Sequence, residues 1–221
     1  MADHAQGATN LILFTPIKEG INSEGCSHAF AVRRQLQALK TNHRSPWAAV
    51  PNTYLARWYL LDDVAYQGKP AAEDHLANRY LVTIAQFHGP RHGWLQSQWQ
   101  HMEATLRQLY AHAWDFDSVV SASTWAAYAE RCAVPTGFFF NGSTGDPLAE
   151  QLKALYLRQT FTQFVMTHQG MSGAALQTAF QAWCDAHQPA ALEGPTWRPG
   201  ASRLNRVVTP TQHKDETHEL S

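Results

Sequence analysis

The chain reads as an α+β domain: a four-stranded antiparallel sheet with helices on one face, an extra C-terminal helix and a flexible tail. Two observations predict it. Strand-like and helix-like patterns alternate in the order strand, helix, strand, strand, helix, strand over residues 10–165. In addition, an apolar row at Leu95, Trp99, Met102, Leu106, Leu109 and Ala113 recurs at steps of four, three, four, three and four, one stripe of a helix. Two crossover helices in that order generate the ferredoxin-like arrangement.

The elements follow in order. Residues 1–9 carry no pattern and read as a loose tail. Leu11-Ile12-Leu13-Phe14, closed by Pro16, suits a buried first strand. A helix then runs to about Lys40, capped by Ser23 or Asn22, with Phe30, Val32, Leu36 and Leu39 near helical spacing. Pro46 and Pro51 punctuate a loop. Tyr54–Asp62 alternates, placing Tyr54, Ala56, Trp58 and Leu60 on one face and Leu55, Arg57, Tyr59 and Leu61 on the other.

Arg79–Phe87 gives the third strand, antiparallel to the second and ended by Gly89-Pro90, and the striped helix follows. Ser121–Cys132 is a shorter inserted helix. Gly137–Asn141, rich in phenylalanine, reads as the fourth strand. Asp146 caps a helix through about Thr167 with Pro147 as its first residue. Its apolar side changes midway, from Leu148, Leu152, Leu155 and Tyr156 to Leu157, Phe161, Phe164 and Val165. Its second half therefore needs another partner, either the last helix, Ala174–His187, or a second subunit. The domain spans 10–187; residues 188–221 are irregular, and 209–221 are expected to be disordered.

Composition narrows the function. A formal charge of −1 gives no electrostatic footprint for nucleic acid. No apolar run approaches the roughly 20 residues that span a bilayer. The N-terminus lacks a basic region followed by an apolar one, and three widely spaced cysteines do not form a disulfide framework, so a cytoplasmic protein is expected.

Arg57 stands out amid Leu, Tyr and Trp. It is either a clamp for a carboxylate, phosphate or propionate, or an ion-paired or snorkelling surface arginine. His88 and His92 have metal-ligand spacing, but Gly89-Pro90 between them breaks the helical geometry and no third ligand is near, so no metal is expected. Cys26-Ser27-His28 opens a helix without an acid partner. His101 and His112 fall off the apolar stripe, on a solvated face. Asn141–Pro147 lacks the lysine and spacing of a phosphate loop and reads as a turn and a cap.

Pro51, Tyr54-Leu55-Ala56-Arg57-Trp58 and Gln86-Phe87-His88-Gly89, with the aromatic run Pro135–Phe140, resemble an uncharacterised bacterial family. Its members carry His-Phe-Ala-Arg-Trp and Asn-Tyr-Asp-Gly at these places; here Tyr54 replaces His and His88 replaces Asp. At fold level that family is similar to the dimeric α/β-barrel group of dye-decolorising peroxidases, chlorite dismutases and antibiotic-type monooxygenases. The Gly-x-x-Asp-Gly run of the peroxidases is missing. The resemblance implies a homodimer with an aromatic-lined cavity for a small molecule or haem, and oxidoreductase chemistry in that cavity. Tyr54 and His88 would be its catalytic groups, with Arg57, Trp58 and Phe87 binding the ligand. The competing reading is a non-catalytic accessory or interaction subunit, favoured by the two-faced helix.

Overall fold

A computed structural model describes residues 3–143 and 145–201; the expected disordered segment 209–221 lies outside them. Within these residues the chain is α+β. An open antiparallel sheet of five strands is built from β1 (His4–Ala5), β2 (Ala8–Pro16), β3 (Thr53–Leu61), β4 (Tyr80–His88) and β5 (Ala133–Val134). Five α-helices accompany it: α1 (His28–Ala38), α2 (Arg91–Tyr110), α3 (Ala122–Arg131), α4 (Leu148–Thr167) and α5 (Gly173–His187). The strand order is β1-β2-β4-β3, with β5 also pairing β2.

Alternation along the strands sets the layers. Leu11, Leu13 and Ile17 beside β2, and Leu81, Ala85 and Phe87 of β4, join the core under α1, α2 and α3. The whole α2 stripe from Leu95 to Ala113 is buried there, as its spacing predicts. Trp99, Tyr110, Phe116, Trp125 and Tyr128 make one aromatic cluster, and Trp47, Trp58, Phe87 and Trp94 make a second. No residue of α4 or α5 belongs to this core.

The fourth-strand expectation is corrected. Gly137–Asn141 has no strand structure, and Phe138 and Phe140 are about three-quarters exposed. The register gives the reason. Ile12 faces Val134 and Leu13 faces Ala133, so an unbroken strand would bring residues 137 and 138 opposite Thr9 and Ala8. Those two positions are taken by His4 and Ala5. β1 wins the edge because Asp3 locks it in place: Asp3 Oδ1 accepts from the Thr136 amide (2.9 Å), and Arg91 binds Oδ2 (3.1 Å). Residues 3–9 are thus part of the sheet rather than a loose tail.

Two helix caps also differ from expectation, and a third was not foreseen. Ser27, not Ser23 or Asn22, caps α1; the Asn22 Oδ1 instead accepts from the Glu24 and Cys26 amides and closes a turn. Pro147 rather than Asp146 stands at the N-cap of α4, and Ser172 caps α5. The final segment returns to the body. Lys153 of α4, almost fully buried, donates to the His187 and Pro195 carbonyls (2.8 and 2.9 Å), and Trp197 packs edge-on against Tyr156. Burial pulls the Lys153 ammonium below its ordinary pKa.

Candidate functional site

β3 positions the site, and a bulge in it decides the geometry. The register against β4 shifts between Thr53 and Leu55. Thr53 is buried and accepts from the Trp94 indole N–H (3.0 Å), while Trp58 packs on Trp47 (centroids 4.4 Å). An odd and an even position both reach the helix layer, which a regular two-residue alternation forbids and one extra residue permits. The bulge takes Tyr54 out of the regular alternation: it borders the same cleft as Trp58 while its hydroxyl reaches the end of β4. There its hydroxyl lies 3.0 Å from His88 Nδ1 and donates to the Asp146 carbonyl at 2.9 Å.

The two groups singled out as proton carriers therefore touch. The single hydroxyl hydrogen of Tyr54 goes to Asp146, so the phenol oxygen accepts and His88 Nδ1 carries the proton; His88 Nε2 is left as the basic nitrogen. Burial, and then the Asp146 carboxylate, raise the Tyr54 pKa, which keeps it a neutral donor. Two glycines at positive φ make room. A Cβ on Gly7 (φ +80°) would stand 2.8 Å from His88 Cε1, and one on Gly145 (φ +80°) would collide with the Gln6 carbonyl.

Arg57 lies on the other side of the bulge, opposite Ile84, exposed and without a carboxylate partner among the described residues. It lines a shallow groove with Leu55, Ile84 and Gln86. It also borders a cleft of about 500 Å³ between the end of α1, the turn Pro46–Ala49 and β3, where Leu36, Leu39, Trp47, Tyr54 and Trp58 complete the wall. Trp58 belongs to this cleft; Phe87 does not, being fully buried and stacked on Trp94 at 4.0 Å. Ile84 and His88 are four residues apart on β4, so the backbones of Arg57 and His88 stand on the order of 13 Å apart at the usual strand rise, whereas Tyr54 borders the same cleft as Arg57.

A haem held by histidine needs an imidazole nitrogen open to an apolar cavity. His101 is exposed with Nδ1 on the Ser97 carbonyl, and both nitrogens of His112 are engaged. His88 holds Tyr54 and does not line the cleft. These three histidines therefore do not fit as ligands of a haem in the cleft. Among the described residues no group of three or more His, Cys, Asp or Glu could hold a metal ion. The Cys26 thiol is turned toward Asn22 Oδ1 (3.4 Å). No helix among the described residues is long and apolar enough to cross a membrane.

A pair that sequence alone did not join is His28, at the start of α1, and His112, just past α2, with Nδ1 atoms 3.0 Å apart. One nitrogen must donate and the other accept, so the contact holds a single proton. Burial and then His28 push the His112 pKa down, with Lys18 and Arg34 adding to the depression and Glu24 opposing it. A depressed folded pKa means that the native state binds fewer protons. The pair's contribution is present above the ordinary histidine pKa near 6.5 and is lost as pH falls through the folded value. His112→Asn should therefore flatten the loss of urea-unfolding free energy between pH 7 and pH 5. An unchanged slope would remove the pair from this role.

Comparison of the chain with family models, curated proteins and solved structures finds no match.

Proposed function

We propose that this is a ferredoxin-like protein that binds a small, largely apolar ligand bearing an acidic group, and that it works as a homodimer. The strand sequence β5-β2-β4-β3, with α1 and α2 as crossovers between alternate strands, supports the ferredoxin-like reading. The observation that carries the binding reading is Arg57. It is a guanidinium without a carboxylate partner among the described residues, on the rim of a cleft walled by Trp47, Trp58, Leu36 and Leu39. Apolar walls with a few polar groups are what small-molecule sites consist of; Lys40 also borders this cleft, and guanidinium holds a carboxylate or phosphate through two hydrogen bonds.

Binding is better supported than catalysis. His88 of the Tyr54–His88 pair lies about 13 Å along the strand from the anchor, and the pair's Nδ1 proton and hydroxyl proton are already committed to neighbours. A ligand long enough to span both would meet a basic nitrogen, His88 Nε2, at its far end, a group that accepts a proton and supplies no electrons. The accessory-subunit reading draws on a different observation, the exposed aromatic surface of α4 and α5.

The test uses 2-naphthoate, an aromatic carboxylate, as probe in an amide NMR titration. Shifts should concentrate at Trp47, Tyr54, Arg57 and Trp58. Arg57→Leu should weaken binding about tenfold or more, the loss of one charge-assisted anchor, with an unchanged fold because the side chain is exposed. Equal affinity in the variant, or shifts confined to other surfaces, would overturn the assignment.

A further inference from the structure

The α4–α5 hairpin presents a surface that nothing in the chain's own core uses. Phe161, Phe164, Phe180 and Trp183 pack together between the two helices. Around them Phe161, Val165, Met166, Met171, Leu176 and Phe180 remain between 40% and 69% exposed. All of these except Met166 border an open apolar groove of about 570 Å³ near the turn joining the helices. Between Arg158 and Asp185 the sequence contains no Asp, Glu, Lys or Arg. A helical hairpin that merely faced water would carry charge on its outer side.

We propose that a second copy of the chain docks here, hairpin against hairpin, and that this is the interface of the homodimer proposed above, on which the inference rests. Charge decides the occupant. A two-fold interface sets the same patch against itself, so a charged residue near its centre meets its own like-charged copy. This hairpin offers no such residue. The open face of the sheet does: Arg57 stands exposed on it beside Leu55 and Tyr59. A partner of different sequence would be selected through complementary charges, and an anionic bilayer through Lys and Arg on the polar face; the hairpin supplies neither.

Area agrees. With aromatic rings of about 150–250 Å² each and smaller aliphatic chains, the five half-exposed residues that border the groove offer on the order of 400 Å² of apolar surface. A standard interface buries about 800 Å² per partner, of which roughly 60% is apolar, an amount of the same order. The docked copies would close a four-helix cluster over Phe161 and Phe180.

Sedimentation velocity at micromolar concentration tests this on three variants of the full chain. Wild type and Leu55→Glu, on the sheet face, should both run as dimers. Phe180→Glu and Val165→Glu should run as monomers, a rise in dissociation constant of at least about a hundredfold for a charge buried against its copy. Val165 lines the groove and takes no part in the ring contacts that Phe180 makes between the helices, so its variant keeps the test valid if Phe180→Glu loses helical circular dichroism. A monomeric wild type would overturn the homodimer itself. A dimer that survives Val165→Glu, or that Leu55→Glu dissociates, would overturn only the hairpin as its interface. Flotation of monomeric wild type with neutral phosphatidylcholine vesicles would hand the face to lipid instead.

Discussion

Replacing Trp125 with alanine should lower the unfolding free energy by about 3–5 kcal/mol, a large share of what a domain of this size possesses. Trp125 is fully buried on α3 and touches the rings of Tyr110 (centroids 4.9 Å), Tyr128 (6.1 Å), Phe116 (6.3 Å) and Trp99 (6.5 Å). Few other side chains bridge α2, α3 and the turn Phe116–Ser118 at once. The vacated volume cannot collapse easily, because each neighbour is an aromatic ring already packed on others. The indole also donates to Gln98 Oε1 at 3.1 Å, and Gln98 is itself buried. Trp125→Ala therefore opens a cavity and strands an amide. Trp125→Phe separates the two effects: it fills most of the space, and its cost, about 1–3 kcal/mol, is chiefly the orphaned Gln98. Urea titrations of both variants measure this, and a loss below about 1 kcal/mol for Trp125→Ala would show that the cluster is not a stability centre.

The helices of the body were legible because each declares a period. The α2 stripe needs only its own residues to be read, and so does the alternation of β4. The fold class follows from their order. What sequence could not show is competition. Pro135–Phe140 has strand composition, yet its place on β2 is filled by His4 and Ala5, two residues with no strand signal, held by an aspartate that no local pattern marks. The same limit applies at the site. Tyr54, His88 and Arg57 were identifiable as unusual polar groups in an apolar setting. Their grouping was not, because the bulge at Thr53–Leu55 breaks the alternation from which faces are read. That one extra residue brought Tyr54 to His88; Arg57 stands apart from His88 because its partner Ile84 lies four residues earlier on β4. Lys153 was hidden for another reason: its partners are backbone carbonyls of a turn more than thirty residues later, and carbonyls leave no trace in sequence.

Asp3→Ala should cost about 2–4 kcal/mol, far more than a surface substitution ordinarily does. The carboxylate is 6% exposed and serves two elements, while the Asp3 backbone serves a third. Oδ1 holds the Thr136 amide after β5, Oδ2 holds Arg91 at the start of α2, and the Asp3 carbonyl accepts from Asn10 on β2 (2.9 Å). Removing it leaves Arg91, whose other carboxylate is the exposed Glu130 at 3.3 Å, and an amide at Thr136 that loses its acceptor. Asp3→Asn keeps the shape and one acceptor but not the charge, so it should fall between wild type and alanine. The pH dependence fixes the mechanism. The Thr136 amide, foremost, and Arg91 hold the Asp3 pKa below its ordinary 3.8. A lowered folded value stabilises the native state above the unfolded pKa, and that contribution fades as pH falls below about 4. Wild type and Asp3→Ala should therefore differ most at neutral pH and converge in acid. Were the gap constant from pH 7 down to pH 3, the aspartate would be acting through packing alone. The same variant reports on the sheet edge: once β1 is loosened, Asn10, whose amide donates to the Asp3 carbonyl, should lose exchange protection before Leu11 and Leu13, which pair with Ala85 and Thr83 of β4.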